Sequence, residues 1–407
     1  MENLKIDGAR LWDSLMEMAK IGATAKGGVN RLALTDLDRE SRDLFTRWCE
    51  AAGCTVTYDA IGNMFARRAG SDPSLPPVAM GSHLDSQPSG GKFDGAYGVM
   101  AGLEVIRTLN DAGVRTRAPL EVVSWTNEEG SRFTPVMMGS GVYAGVFPLE
   151  HVLEQMDVGG ATVEGALRSI GYAGTAPPHR LGGYFEAHIE QGPVLEDTKT
   201  TIGVVQGALG QRWFDAVITG QDAHAGPTPM ELRKDALIAA SRLVLEVNRI
   251  ALAFPDYARG TVGSMQVKPN SRNVVPGEVR MSVEFRNQKD DTLTAMVAAL
   301  RQSLKTIEAE CRVAIELTEV TYFPPCHFDP ASVGAVRDAA QGLGYSHRDI
   351  VSGAGHDAVY VARVAPTAMV FVPCEGGISH NEIENATPQD LAAGCNVLLH
   401  AALARAA

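Results

Sequence analysis

The 407-residue chain reads as an α/β protein with a mixed, mostly parallel sheet flanked by helices, interrupted by an inserted α+β domain of ferredoxin-like order. Three observations predict this. The runs "PVAMGSH", "PLEVVSW", "GGYFEAHI" and "PTAMVFV" are short and apolar, as strands buried in a sheet should be. The first is followed by a loop, a helix and another strand, which is the order of a parallel α/β unit. Between about 211 and 322 the pattern changes to strict alternation, and the total length is comfortable for two domains.

The elements follow in order. Residues 36–53, "DLDRESRDLFTRWCEAAG", predict a helix that Thr35 caps, acids open and Gly53 ends. "PVAMGSH" is a strand ending near His83. "AYGVMAGLEVIRTLNDAG" carries Val99, Leu103, Ile106 and Leu109 at helical spacing, with Gly113 as the stop. "PLEVVSWTNEEG" is a strand running into a turn, and 135–182 is Gly-rich, with helix expected around 148–171. "RWFDAVIT" opens the insert as a strand, and 231–254 reads as a long amphipathic helix. Strands "TVGSMQV" and "EVRMSVEFR" come next; in the second, Val279, Met281, Val283 and Phe285 alternate with Arg280, Ser282, Glu284 and Arg286. A helix over 290–309 and the strand "RVAIELTEV" complete βαββαβ, whose alternation predicts a sheet with one wet face. The expected domains are therefore 1–210 with 323–407, and 211–322 between them.

Composition narrows the class. Apolar residues make up 45% and charged residues 21%, an ordinary globular balance, and the net charge of -12 disfavours nucleic acid and anionic membrane as partners. The opening "MENLKIDGARLWDSLMEMAK" carries charges throughout, so no secretory signal is expected, and no apolar run is long enough for a membrane span. Six cysteines without a CxxC pair suit a reduced, cytoplasmic protein with core thiols.

Ligand sites in open α/β sheets form at the carboxyl ends of strands. Four such ends supply His83, Asp94, Glu128, Glu129, His188 and His380. Each alone has an ordinary explanation, as a satisfied polar residue or a turn former; six together indicate a metal site. Imidazole and carboxylate donors without thiolates favour zinc or a similar first-row ion. Asp94 can bridge two ions, and paired ions can bind and activate a water. The neighbours Glu128 and Glu129 point opposite ways on extended backbone, so one can ligate while the other serves as general base. Asp85, two residues after His83, is placed to orient that imidazole. In the insert, His224 lies in "GQDAHAGPTPM", Asn273 in "KPNSRNVVPG" and Arg286 on the polar face of a strand; Arg and Asn suit a carboxylate, although such residues are also common on surfaces. The turn "VSGAGHDAV", with Gly353, could hold an anion on backbone amides or be a plain loop.

The motifs "GSHLDSQPSGGKFDGAYGV", "WTNEEGSRF", "FEAHIEQGPVLE", "QDAHAGPTPM", "RNVVPGEV", "SGAGHDA" and "ISHNE" together resemble the amidase, hydantoinase/carbamoylase family. That family comprises N-carbamoyl-L-amino-acid hydrolases, allantoate amidohydrolases and β-ureidopropionases, within the dinuclear zinc aminoacylase and carboxypeptidase superfamily. The resemblance runs from about residue 10 to the C-terminus. It implies a zinc-exopeptidase-like main domain and a lid or dimerisation role for the insert. It also implies two divalent ions, zinc first, with manganese, cobalt or nickel as alternatives. His83 and His188 would hold one ion, Glu129 and His380 the other, and Asp94 both. Glu128 matches the general base, Asp85 the acid behind the ligands, and His224 the histidine that polarises the scissile carbonyl. Gln191, Asn273, Arg286 and the Gly353 turn match the positions that hold substrate carboxylate and ureido group. A homodimer is implied too, with some of these groups serving the neighbouring subunit. His188 stands where peptidase relatives carry an acid, which favours the ureido-cleaving branch. The expected activity is hydrolysis of an N-carbamoyl-L-amino acid to amino acid, ammonia and carbon dioxide. Allantoate or ureidopropionate hydrolysis comes second, and peptidase or aminoacylase activity third.

Overall fold

The structure, a computed structural model, describes residues 4–254 and 256–407; the first three residues of the opening stretch read for targeting lie outside them. The chain divides into two compact units. One holds the residues up to Gly207 together with His327–Ala407, and the other Ala208–Cys326. Among the described residues no helix is long and apolar enough to cross a membrane.

In chain order the first unit begins with helices α1 (Gly8–Met18) and α2 (Asp36–Ala51) and strands β1 (Thr55–Tyr58), β2 (Met64–Arg68) and β3 (Val78–His83). Thr35 caps α2 as the sequence predicts, its Oγ1 accepting from the Asp38 amide at 3.3 Å; such a cap contributes about 1 kcal/mol. Helix α3 (Ala96–Asp111), strand β4 (Leu120–Trp125) and helix α4 (Met138–Tyr143) follow. The expected helical stretch at 148–171 is two short helices, α5 (Leu149–Leu153) and α6 (Val163–Ile170). What separates them is a turn in which the Asp157 carboxylate accepts from the Gly159 and Ala161 amides and Gly160 takes φ 83°. Strand β5 (Gly183–Ile189), helix α7 (Val194–Asp197) and strand β6 (Ile202–Ala208) lead out of this part.

The second unit opens with β7 (Gly210–Thr219) and the short β8 (Ala223–His224). Its first helix, α8, runs Ala236–Ala253 and not from 231, because the Asp235 carboxylate takes the Leu237 and Ile238 amides and caps it there. The strand read from "TVGSMQV" is broken into β9 (Arg259–Thr261) and β10 (Met265–Lys268), both antiparallel to the later strand over Glu278–Asn287. Strands β11 (Val274–Val275) and β12 (Glu278–Asn287) precede α9 (Asp290–Cys311) and β13 (Ala314–Phe323). The last strand starts two residues later than read, since Arg312 ends α9 in the left-handed region, φ 56°. The sheet order β10-β12-β7-β13 is antiparallel and ferredoxin-like. Phe214, Ile218, Val279, Val283 and Phe285 on one face pack with Leu243, Val247, Met296 and Leu300 from the helices.

The chain returns to the first unit through β14 (Cys326–His327), α10 (Pro330–Gly342), β15 (His347–Ser352), α11 (Asp357–Val361), β16 (Thr367–Val372) and α12 (Pro388–Ala406). Its nine-stranded sheet has the order β1-β2-β4-β3-β5-β16-β6-β14, with β15 beside β6. The four central strands β4, β3, β5 and β16 are parallel, and the pairs β1–β2, β2–β4 and β16–β6 are antiparallel. Every residue of β3, β4, β5 and β16 is buried, which is why they read as continuous apolar runs and not as alternation. This parallel core sends four carboxyl ends to one edge of the sheet.

Candidate metal centre

Register explains why the two buried histidines meet. Met80 in β3 lies opposite Phe185 in β5; three residues further along each strand come His83 and His188. Their ring centroids are 6.2 Å apart. Asp94 reaches them from the loop before α3. That loop needs glycine at 95, where φ is +63° and an added Cβ would lie 2.3–2.4 Å from three atoms of the His83 ring.

Asp94 is the hub. Its Oδ1 lies 3.2 Å from His188 Nε2 and 3.6 Å from His83 Nε2, and its Oδ2 lies 3.4 Å from His380 Nε2. His380 Nε2 is in turn 3.3 Å from Glu129 Oε2. His83, Asp94 and His188 thus form one triad and Asp94, Glu129 and His380 another, each with its ligand atoms within 4.8 Å of one another. The two buried rings are aimed by backbone carbonyls: His83 Nδ1 lies 2.8 Å from Asp85 O, and His188 Nδ1 lies 2.9 Å from Ile189 O. With Nδ1–H donating there, both Nε2 lone pairs face Asp94.

The Asp85 carboxylate sits 4.0 Å from the imidazole it was expected to orient; Asp85's carbonyl makes that contact instead. Its oxygens accept from the Glu128 and Glu129 amides, at 3.2 Å each, and so fix the "NEEG" turn. Glu128 Oε2 stands 3.6 Å from His83 Nε2. Gln87 donates to Glu129 from its amide at 3.2 Å and from Nε2 at 2.7 Å. Gln191 Nε2 donates to Asp94 Oδ2 at 2.9 Å, while its own Oε1 is buried without a partner. Asn127, Gln191 and His380 all hold left-handed backbone, at φ 53°, 57° and 52°.

Asp85, Asp94, Glu128, Glu129, Glu186, Asp357 and Glu384 are all buried. The ion pairs they make among the described residues are with histidine alone. Titration follows from this crowding. Burial pushes Glu128 well above the usual carboxyl range, and Asp357, Glu129 and Asp85 push it further against the pull of His83. Burial and the Asp94 charge raise Glu129 to about 8 and Glu384 to about 7. Burial disfavours a charged His83, yet Glu128, Asp94, Asp85 and Glu129 raise it well above its ordinary value. Burial would also raise Asp94, but the neighbouring His188 and His83 hold it well below. So many buried carboxylates beside aimed imidazoles fit a divalent-cation centre of oxygen and nitrogen donors.

The residues expected in the insert are arranged differently. His224 is exposed, in register with Val274, and the Ala225 amide donates to Asn273 O at 2.8 Å, so His224 and Asn273 come together. Arg286 does not join them. The β8–β11 pair adjoins the start of β12, where the Gly277 amide donates to Asp222 Oδ1 at 2.7 Å. Arg286 is eight residues beyond Glu278 on that strand, roughly 26 Å at the usual rise. There it faces Arg259 and pairs with Glu284. Gly353 is exposed in the turn between β15 and α11.

Several residues of the centre escaped the sequence reading: Gln87, Ser379 and Glu384, with Glu186 and Asp357 behind. Glu186 had a usable signal, since two residues before His188 on a strand is the same face. Glu384 had none, because "HNEIEN" looks like any polar loop.

A parallel sheet with imidazoles and carboxylates gathered at its carboxyl edge defines an α/β protein built around a candidate metal centre. The chain belongs to peptidase family M20/M25/M40, whose profile matches residues 79–404, and within it to the hydantoinase/carbamoylase amidases. It is 47% identical over 404 residues to an N-carbamoyl-L-amino-acid amidohydrolase of Rhizobium meliloti, covering 99% of this chain and 97% of that one. A crystal structure of an amidase of the hydantoinase/carbamoylase family from Burkholderia multivorans superposes with TM-score 0.97 at 60% identity, over 99% of this chain and 98% of the other. Further off, an allantoate amidohydrolase of Bacillus subtilis is 33% identical, over 95% of each chain.

Proposed function

We propose that the protein is an N-carbamoyl-L-amino-acid amidohydrolase. It would hydrolyse the ureido C–N bond, so that one substrate and one water give the amino acid, ammonia and carbon dioxide. The observation that carries this reading is the double triad sharing Asp94 with a free-standing carboxylate, Glu128, beside it, in a chain whose full-length relative carries that name. Two divalent ions, zinc before manganese, cobalt or nickel, would lower the pKa of water and polarise the carbonyl when bound. His83, Asp94 and His188 would hold one, and Asp94, Glu129 and His380 the other.

The chain's own groups then divide the remaining work. Glu128 takes the proton from the attacking water and returns it to the leaving nitrogen. Asp85 keeps Glu128 and Glu129 in their turn through two amides. His224 polarises the scissile carbonyl, and Gln191, Asn273, Arg286 and the Gly353 turn hold the carboxylate and the ureido group. The distance between Arg286 and the His224–Asn273 pair is too great for one small acid, which supports a homodimer whose inserts exchange groups between subunits. Ile238, Leu245 and Leu252, exposed at seven-residue spacing along α8, offer an apolar stripe for that pairing. Cysteines scattered without a CxxC pair are in keeping with a cytoplasmic protein.

The test is ammonia release by the metal-loaded protein from N-carbamoyl-L-methionine, its D form, N-carbamoyl-β-alanine, allantoate and N-acetyl-L-methionine. Release from the L-carbamoyl compound, abolished by chelator, is the expected outcome. Release confined to allantoate or the β-alanine compound would move the protein to the second reading, allantoate amidohydrolase or β-ureidopropionase; the 33% relative carries the first of these two names.

A further inference from the structure

We infer that Glu384 is the positioning residue of the metal centre: it fastens the Asp94 loop to the His380 loop and, through Ser379, steadies the outer oxygen of Asp94. The inference rests on the metal reading above but adds residues which that reading does not use.

Glu384 follows His380 by four residues and is only 2% exposed. A carboxylate so deep needs donors, and each donor it has is part of the centre. Its Oε1 accepts from the amides of Phe93 and Asp94, at 3.1 Å each. Its Oε2 meets Ser379 Oγ at 2.9 Å, and the same Oγ lies 2.9 Å from Asp94 Oδ2. Gln191 Nε2 completes the group, 2.9 Å from Asp94 Oδ2 and 3.3 Å from Ser379 Oγ. Glu384 thus touches the backbone of Asp94 directly and its side chain through one hydroxyl. No Lys or Arg among the described residues pairs with it.

The space for this carboxylate is reserved. A Cβ added to Gly91 would lie 2.0 Å from Glu384 Cδ and Oε1. Gly91 does not have positive φ, so backbone conformation is not what excludes a side chain there. The approach of the Glu384 carboxylate is.

A plain loop tie would make the same two amide contacts; the Ser379 link is what a tie has no use for. Asp94 Oδ2 faces His380, so a carboxylate free to turn about its Cβ–Cγ bond would present the wrong geometry to an ion on that side. Holding a ligand from behind is worth about 10- to 100-fold in metal affinity in comparable centres. Glutamine in place of Glu384 keeps one oxygen for the two amides and turns an NH2 toward Ser379, so it preserves the arrangement; alanine does not.

The experiment titrates chelated full-length protein with cobalt(II) and follows the visible absorption bands, which report ligand number and geometry. The proteins are wild type, Glu384→Gln, Glu384→Ala and Ser379→Ala, each checked for fold by circular dichroism. Ser379→Ala leaves the loop tie intact and guards against an alanine at 384 that fails to fold. We expect Ser379→Ala and Glu384→Ala to weaken the second cobalt about 10-fold or more and alter its bands, with kcat falling and KM little changed. Glu384→Gln should stay near wild type in cobalt affinity and spectrum. Folded Ser379→Ala with wild-type affinity and bands overturns the inference while leaving the metal centre standing. Wild-type protein that takes up no cobalt overturns the metal reading and this inference with it.

Discussion

The two triads share Asp94 but are built on different principles. His83 and His188 stand on adjacent central strands, their side chains 3% and 1% exposed, with each Nδ1 held by a carbonyl. His380 comes from a loop, its side chain is 51% exposed, and its backbone is left-handed. Asp94 carries the same asymmetry within one carboxylate: Oδ1 faces the buried pair, while Oδ2 faces His380 and also accepts from Gln191 and Ser379. Sheet register thus builds the first half almost unaided, whereas the second depends on polar contacts between loops. A half that is already organised loses less freedom when it binds.

That contrast can be broken most directly by removing one histidine from each half. His188→Ala should cost several kcal/mol of transition-state stabilisation, on the order of 10³-fold in kcat/KM, together with the ion of the buried half. His380→Ala should leave that ion in place, as metal content per chain would show; equal losses from both variants would erase the distinction. Glu128→Gln should lower kcat by roughly 10²- to 10⁴-fold while both ions stay bound, because Glu128 belongs to neither triad. Full turnover in that variant would remove it as the base. The smallest effect concerns protons. Burial lifts Glu129 to about 8 and Glu384 to about 7. The folded, chelated protein therefore holds protons that an unfolded chain has released, and its stability from these groups falls as pH rises from about 4.5 through those values. Melting temperature in chelator should decline from pH 5 to pH 8, and added metal should restore most at the alkaline end. A flat profile would mean the carboxylates find compensation elsewhere.

The same division governs what the sequence could tell. The buried half was legible because β3 and β5 are apolar runs that stop at their histidines, and a strand end is a place for ligands. Asp94 was legible from the glycines around it. Ser379 and Glu384 were not, since their role arises only when two loops almost 300 residues apart in sequence close on one another. The Asp85 carboxylate illustrates a subtler limit: spacing put it next to His83, but only the folded "NEEG" turn offered it two amides. In the insert, alternation gave the sheet and its buried face. It could not give the helix start, which one capping carboxylate, Asp235, decides.

The left-handed backbone at Asn127, Gln191 and His380 also has a meaning for anyone engineering this catalyst. Each of these residues forgoes stability, about 1–2 kcal/mol for a side chain held in that region, and a screen for hardier variants would be drawn to glycine at all three positions. Such variants would melt later and work worse, because glycine deletes the imidazole at 380 and the donor to Asp94 at 191, and at 127 frees the torsions that lead into Glu128. Heat tolerance is better sought far away, among the solvent-facing positions of α6 or α9, where nothing is being aimed.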